Sequence, residues 1–569
     1  MSVSNPILSF RRVLKNSPWL VMSILAHTIL LVWLGLVVMQ GEKKKEAEPD
    51  RFVVQPNKLR EEPPPPISPP EPIVRSTIPT DRPIEIVDHV VPLLDPNRFA
   101  APDEDLKQVI GNPDSLDHLP TRLPTSSTSI GVGTGGVRGD APTPFSNLNR
   151  PDFDSKLPPG DGGPGRNPIG QQFVIDKAVR EGLLWLCRHQ NADGSWGALS
   201  MREHCLPKSP CFDAKLQANE HYDEGLTGLA LLAFLGAGIT HKTQASLADE
   251  LDGRRHDVGE VVKRGLRWLR DRQNPDGSFT RDRAFMYNEA LATMALCEAY
   301  GMTRAKLWKD PAERGVEFLQ QAQRLNPAGS GRWGWRYASR QDVVDIRKGT
   351  GDEAYQREVF DSDTSVTAWC VMALKSAELS GLTVERESMD GAVAFCDFVT
   401  ANDGLVGYLD AKGAGQNVTG PFSDQFTYHP TTMSALGMCI RIFAKHDAND
   451  PFLEPAARRI VADLPTVTKD HSSIDYYYWY YASLALYQLD GEASPRRTGR
   501  YWNPWNKAMI DTLLTLQDHR EKTCAEGGWL KADRWGSYSG AGPLYDTALN
   551  VLTLEVTFRY PNAFGAKLR

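Results

Sequence analysis

GLLWLCRHQNADGSW, running from Gly182 to Trp196, joins a short helix-like segment to a tight turn closed by tryptophan. Leu183, Leu186 and Cys187 fall near one helical face, and Asp193-Gly194 supplies the turn. The same order, Gly, then Gln eight residues on, then Gly-x-aromatic, returns at Gly265, Gln273, Gly277 and Phe279. It returns again at Gly315, Gln323, Gly331 and Trp333. A copy at Gly391 has lost its Gln and Trp, and the last, Gln517 to Gly527, Gly528 and Trp529, has a stretched spacer. A sustained internal repeat decides the architecture before any single motif decides the chemistry.

Between these units lies a second, more apolar series. Its members start near Tyr222, Met286, Asp361, His429, Tyr476 and Leu544. Aligned on their Leu/Met-Ala-Leu-like centres, they place Asp223, Asn288, Asp363, Pro430, Tyr478 and Asp546 at one position. A helix that is apolar on nearly all sides must be surrounded by protein, so these are inner helices. Amphipathic outer candidates sit near 175–190, 258–273, 310–324, 386–401, 451–465 and 504–517. Six inner and six outer helices in alternation predict an all-α fold, a single (α/α)6 toroid over residues 171–569.

The Gly…Gln…Gly-x-Trp units resemble the QW repeats of the terpenoid cyclase and protein prenyltransferase superfamily, with squalene-hopene cyclases nearest. The resemblance covers roughly residues 172–560. It implies the toroid fold, and it raises isoprenoid cyclisation as one activity to weigh.

The N-terminal part differs in kind. After a short tail, 1–17, residues 18–39 (PWLVMSILAHTILLVWLGLVVM) carry no charged side chain apart from His27. Some 22 residues at ~1.5 Å each cross a ~30 Å hydrocarbon layer. No small-residue cleavage site follows, so the segment reads as an uncleaved transmembrane helix. Arg11, Arg12 and Lys15 on one flank balance Lys43, Lys44 and Lys45 on the other, leaving orientation open. Residues 40–170 then hold most of the chain's 40 prolines and several Gly-rich tracts, a composition too poor in apolar residues to fold alone. This is a Pro/Gly-rich linker.

His27 is costly within an apolar span, and Ser23 stands one helical turn before it on the same face. Pro18-Trp19, Ser23-x3-His27 and the proline-rich stretch beyond resemble the N-terminus of TonB-type proteins. That resemblance implies that Ser23 and His27 contact ExbB/ExbD-like motor proteins in the inner membrane, with the N-terminus cytoplasmic and the toroid periplasmic. It also sets a departure, since a toroid stands where a small strand-adding domain belongs. A net charge of −7 and the lack of any basic stripe argue against nucleic acid as a partner.

Squalene-hopene cyclases protonate an alkene with the middle Asp of Asp-x-Asp-Asp at the start of an inner helix. Asp361-Ser362-Asp363-Thr364 resembles this stretch, with Asp363 in the acid's place, Asp361 beside it, and Thr364 replacing the last Asp. Such an acid must be buried and held protonated. The repeat offers another explanation. Asp and Asn before a helical run are ordinary N-caps, each contributing ~1 kcal/mol, and Asp223, Asn288 and Asp546 occupy the aligned position.

Polar residues at the inner-helix starts (Asp223, Glu224, Glu289, His429, Asp546), with Trp333, Trp335 and Trp535, are expected to converge on one mouth that binds a ligand. Two mouth carboxylates facing each other roughly 5 to 9.5 Å apart would instead suit carbohydrate cleavage. Tyr428-His429-Pro430-Thr431 resembles part of a prenyltransferase zinc site, but no Asp-x-Cys accompanies it, and no Cys-Gly-Glu-Gln thioester motif is present. No metal or cofactor is assigned. Cys205 and Cys211 share a loop with His204, where a disulfide is favoured in an oxidising compartment and a zinc site would need a further ligand that the sequence does not identify. Cys297, Cys370 and Cys439 read as core packing.

Overall fold

The computed structural model describes residues 169–559 apart from 206–210, 212–221, 252, 280–284, 330, 343–360, 412–430, 492–493, 532 and 534–541. The expected transmembrane helix lies outside these residues, as does the Pro-rich linker up to residue 168; its last two residues, Ile169 and Gly170, already belong to the first helix. Among the described residues no helix is long and apolar enough to cross a membrane.

Six outer helices appear close to where the amphipathic pattern put them: α1 (Ile169–Arg188), α3 (Val258–Arg272), α5 (Lys306–Ala322), α7 (Arg386–Phe398), α9 (Leu453–Ile460) and α11 (Trp502–Leu516). They alternate with α2 (Asp223–Gly236), α4 (Met286–Thr303), α6 (Thr364–Leu379), α8 (Thr432–Ile440), α10 (Tyr476–Asp490) and α12 (Gly542–Leu554). A short α13 (Val556–Arg559) follows. The second set packs in sequence, α2 on α4, α4 on α6, α6 on α8, α8 on α10 and α10 on α12, and α12 then returns to α2. That closed inner ring is the (α/α)6 toroid. Burial follows from it, since every residue of α10, six consecutive aromatics included, is buried.

The repeated residues each have a physical task. Gln190 donates its amide to the Gly194 carbonyl of its own turn (2.9 Å) and to the Val261 carbonyl of the next outer helix (2.9 Å). Gln273 does the same toward Gly277 and Pro311, Gln323 toward Trp333 and Ser388, and Gln517 toward Gly527 and Ala178. The last of these joins α11 to α1 and closes the outer ring. Gly194 has φ +98°, and a Cβ there would lie 2.5 Å from the Arg264 carbonyl oxygen. Gly265 in α3 leaves room for the Trp196 ring, 2.9 Å from where its Cβ would be.

The aromatic position is fixed from both sides. Trp196 donates its indole N–H to Leu186 and its backbone N–H to Thr227 on α2. Trp335 does so to Leu319 and Thr367, and Trp529 to Leu513 and Thr547. Trp335, not Trp333, is therefore the counterpart of Trp196. The third turn is longer than its sisters, and counting along the sequence lands two residues short. The same contacts correct the inner-helix alignment. Asp223 and Asp363 precede the turn-binding threonine by four residues, but Asp546 immediately precedes Thr547, one helical turn deeper.

Outside the helices lies a two-stranded antiparallel hairpin, β1 (Ser246–Ala248) and β2 (Arg255–Asp257), which the all-α reading did not contain. Its turn is set by Asp249, whose carboxylate accepts from the Leu251 N–H, and by Gly253 at φ +72°. Strands this short carry no periodic signal.

Candidate functional site

The segment entering α6 carries the polar site. Asp363 is the N-cap of α6, and its Oδ1 accepts from the Val366 N–H at 2.7 Å. The backbone before it is pinned by a bridge to Trp335, with the Asp363 N–H donating to the Trp335 carbonyl (2.9 Å). That bridge brings Arg336 over the two acids. Its Nη1 lies 3.5 Å from Asp363 Oδ2, and its Nε 3.3 Å from Asp361 Oδ2. Asp363 is wholly buried, and burial pushes its carboxyl up to about 6 although Arg336 draws it down. Desolvation outweighs the ion pair because the guanidinium neutralises two acids and sits outside hydrogen-bonding geometry to Asp363.

Around this pair lies a band of phenols. Tyr337 and Tyr408 share a hydroxyl–hydroxyl hydrogen bond of 2.5 Å, and both rings lie beneath the Arg336 guanidinium at 5.0 and 5.5 Å. Tyr287 on α4 bonds Ser365 on α6 (2.7 Å), and Ser365 also bonds Tyr477 on α10. Burial raises the phenols of Tyr287 and Tyr408 well above the ordinary range, so they act as neutral hydrogen-bonding groups. Phe285 extends the band, 5.4 Å from Tyr287 and 5.6 Å from Tyr222.

Among the described residues singled out in the sequence, Asp361, Asp363 and, through its backbone, Trp335 meet here. Asp223 accepts from the Ala198 N–H (3.0 Å) and Glu289 from the Phe279 N–H (2.8 Å), so both tie Gly-x-aromatic turns to inner helices. Glu224 is buried against Arg272 of α3 (2.8 Å). Asp546 is wholly buried inside α12, where burial first and Asp533 second push its carboxyl well above the ordinary range. Trp335 is a packing residue, and Trp333 rests on Phe395 and Phe398 of α7. His429, Trp535, Ser23 and His27 lie outside the described residues. Asp223, Glu224 and Glu289 are thus each engaged by a turn amide or an outer-helix arginine.

Asp363 caps α6 and Asp475 caps α10 through the Tyr478 N–H (2.8 Å), whereas the caps of α2 and α4, Tyr222 and Phe285, use no side chain. Sequence reasoning missed Arg336, Tyr408 and the linking role of Ser365. A signal for Arg336 was present, an arginine between Trp335 and Tyr337 at the end of a repeat turn that leads into the acidic stretch. Among the described residues one group could hold a metal, His189 with Cys205, Cys211 and Cys524, and it shares no residue with this site. Cys297, Cys370 and Cys439 are buried packing residues, as expected.

No protein-family model matches the chain, and no curated protein does. Among solved structures, type II terpene cyclase MstE from Scytonema, in its apo form, is 13% identical, with 67% of this chain and 98% of that chain covered at a TM-score of 0.39. The alpha-1,6-mannanase GH76A of Salegentibacter sp. HEL1_6, solved with alpha-1,6-mannotriose, is 13% identical over 68% of this chain and 98% of its own, at a TM-score of 0.42. A protein from Actinoplanes is 16% identical over 67% and 99%, at 0.38. The toroid rests on the closed ring of helices, not on these likenesses.

Proposed function

We propose that the chain is a membrane-tethered toroid that binds or assembles with a polar partner in the periplasm, without standard squalene cyclase activity. The observation that carries this reading is the position of Arg336. Carbocation chemistry needs an acid held neutral and aromatic faces free to meet a developing positive charge in a dry cavity. Here a permanent cation stands 3.5 Å from the acid and covers the faces of Tyr337 and Tyr408. The Val366 N–H on the other carboxylate oxygen also favours the anion. A cation already in place repels a second one. Tyrosine hydroxyls linked across α4, α6 and α10 suit a ligand that offers hydrogen-bonding groups.

One observation favours a second reading, isoprenoid cyclisation with Asp363 as general acid. Burial holds that carboxyl at about 6, which leaves a protonated fraction near neutral pH. A third reading, carbohydrate cleavage, gains no support from the acids at this site, because Asp361 and Asp363 share one guanidinium rather than opposing each other across a groove.

The test is to incubate the purified full chain with squalene and analyse the extract for cyclic products, alongside Asp363→Asn. No cyclic product is expected from either protein. Cyclic products from the wild type that vanish in Asp363→Asn would replace the binding reading with the cyclase one.

A further inference from the structure

We infer that His189, Cys205, Cys211 and Cys524 form a structural zinc site that fastens the first and last repeats of the ring. The four ligand atoms lie within 4.8 Å of one another. His189 Nε2 stands 3.8 Å from Cys205 Sγ, 3.4 Å from Cys211 Sγ and 3.5 Å from Cys524 Sγ. With Zn–S near 2.3 Å and Zn–N near 2.05 Å, a tetrahedron has N–S edges of ~3.6 Å and S–S edges of ~3.8 Å. The nitrogen-to-sulfur edges already have that size.

The imidazole is oriented for the task. Its Nδ1 is 2.8 Å from the Trp185 carbonyl oxygen, which fixes the proton there and leaves the Nε2 lone pair facing the sulfurs. Trp185 stacks on the ring at 3.9 Å and prevents it from turning. The Cys211 N–H points at Cys205 Sγ (3.5 Å), a donor that stabilises a thiolate. His204, the histidine nearest in sequence, is engaged elsewhere, with its Nε2 2.7 Å from Asn191 Oδ1.

The repeat shows that these residues are additions to the fold. In the second copy Gln273 and Gly277 are four residues apart, whereas in the last copy Gln517 and Gly527 are ten apart, and the extra residues hold Cys524. Cys205 and Cys211 lie in the long connection between Trp196 and α2. His189 precedes Gln190 where the other copies have Arg272, Ala322 and Leu516. These departures from the repeat meet at one point, 335 residues apart along the chain.

A disulfide accounts for the cluster less well. Three thiols cannot pair completely, so any one bond strands a buried sulfur and a buried imidazole, and all three cysteines are free. On binding Zn2+ the three thiols release their protons to solvent, and the four protein ligands fill the coordination sphere. No open position remains for catalysis.

The test is metal analysis of the purified full chain, with cobalt substitution as an independent readout. One zinc per chain is expected, with cobalt giving the intense visible bands of a tetrahedral site and a thiolate charge-transfer band. Cys524→Ser and His189→Ala should lose the metal, His189→Cys should keep it, and Cys187→Ser, a buried cysteine outside the cluster, should leave it unchanged. Should a ligand variant fail to fold, the wild-type metal content and cobalt spectrum still decide. A metal-free wild type that binds no cobalt, or a denatured wild type in which thiol counting reveals a bond among the three cysteines, would overturn the assignment.

Discussion

Asp363 makes stability depend on pH in an unusual direction, and Asp363→Asn isolates the effect. The folded carboxyl titrates at about 6 against an ordinary 3.8. Between those values the folded chain holds a proton that the unfolded chain has lost, so stability falls as pH rises through that window. Above it the ionised folded state carries a penalty of about 3 kcal/mol, at ~1.36 kcal/mol per tenfold. The figure already includes the help from Arg336, because that attraction is part of what sets the value. The amide mimics the protonated acid and still accepts from the Val366 N–H, so the cap survives. Asp363→Asn should therefore match the wild type near pH 4 and exceed it by about 3 kcal/mol near pH 7.5. For a toroid of roughly 400 residues, an unfolding entropy of ~0.8 kcal/mol/K turns this into a thermal midpoint ~4 °C higher. Calorimetry or tryptophan fluorescence across that pH range reads it. Asp363→Ala serves as the control and should lose about 1 kcal/mol relative to the amide at every pH, the cost of the missing cap. A gap between Asp363→Asn and the wild type that does not change with pH would show that the carboxyl titrates normally, and the burial argument would fail.

Two further outcomes test the repeat and the anchor. Gln190→Ala removes the donor shared by the Gly194 and Val261 carbonyls and the acceptor for Arg264; chemical denaturation should show a loss of about 2 to 3 kcal/mol, and a change below ~0.5 would mean the amide bridges are dispensable. On the proposed TonB-like contact, His27→Ala should abolish co-purification of ExbB/ExbD-like proteins from membranes while leaving the toroid's melting unchanged, and full retention of such partners would dismiss that role.

The parts of this fold that were legible in the sequence are those governed by period. The outer helices fall within a few residues of their amphipathic windows, and the inner ones follow from apolar residues on every face, because 3.6-residue periodicity is a property of the segment itself. Counting across turns was less secure. Spacer length varies between copies, which moved the turn tryptophan from Trp335 to Trp333 and placed Asp546 one helical turn out of register. The site was harder still. Arg336 matters through partners on the far side of a long connection, and Ser365 through hydroxyls on α4 and α10, relations that exist only once the ring has closed. His189 and Cys524 are invisible for the same reason. Asp361 and Asp363 stand two residues apart in the sequence and share Arg336 in the structure, whereas the turn amides that Asp223 and Glu289 accept from are set by the packing of turn on inner helix and leave no local pattern.

The bond from Gln517 to the Ala178 carbonyl is the same bond that Gln190 makes to Val261. Architecturally the circle therefore has no origin, and a gene rearranged to begin at another repeat would encode the same set of interfaces. What the natural order does determine is timing. During vectorial synthesis α1 emerges well before α11, so the Ala178 carbonyl stays without its Gln517 donor until the last repeat has been made.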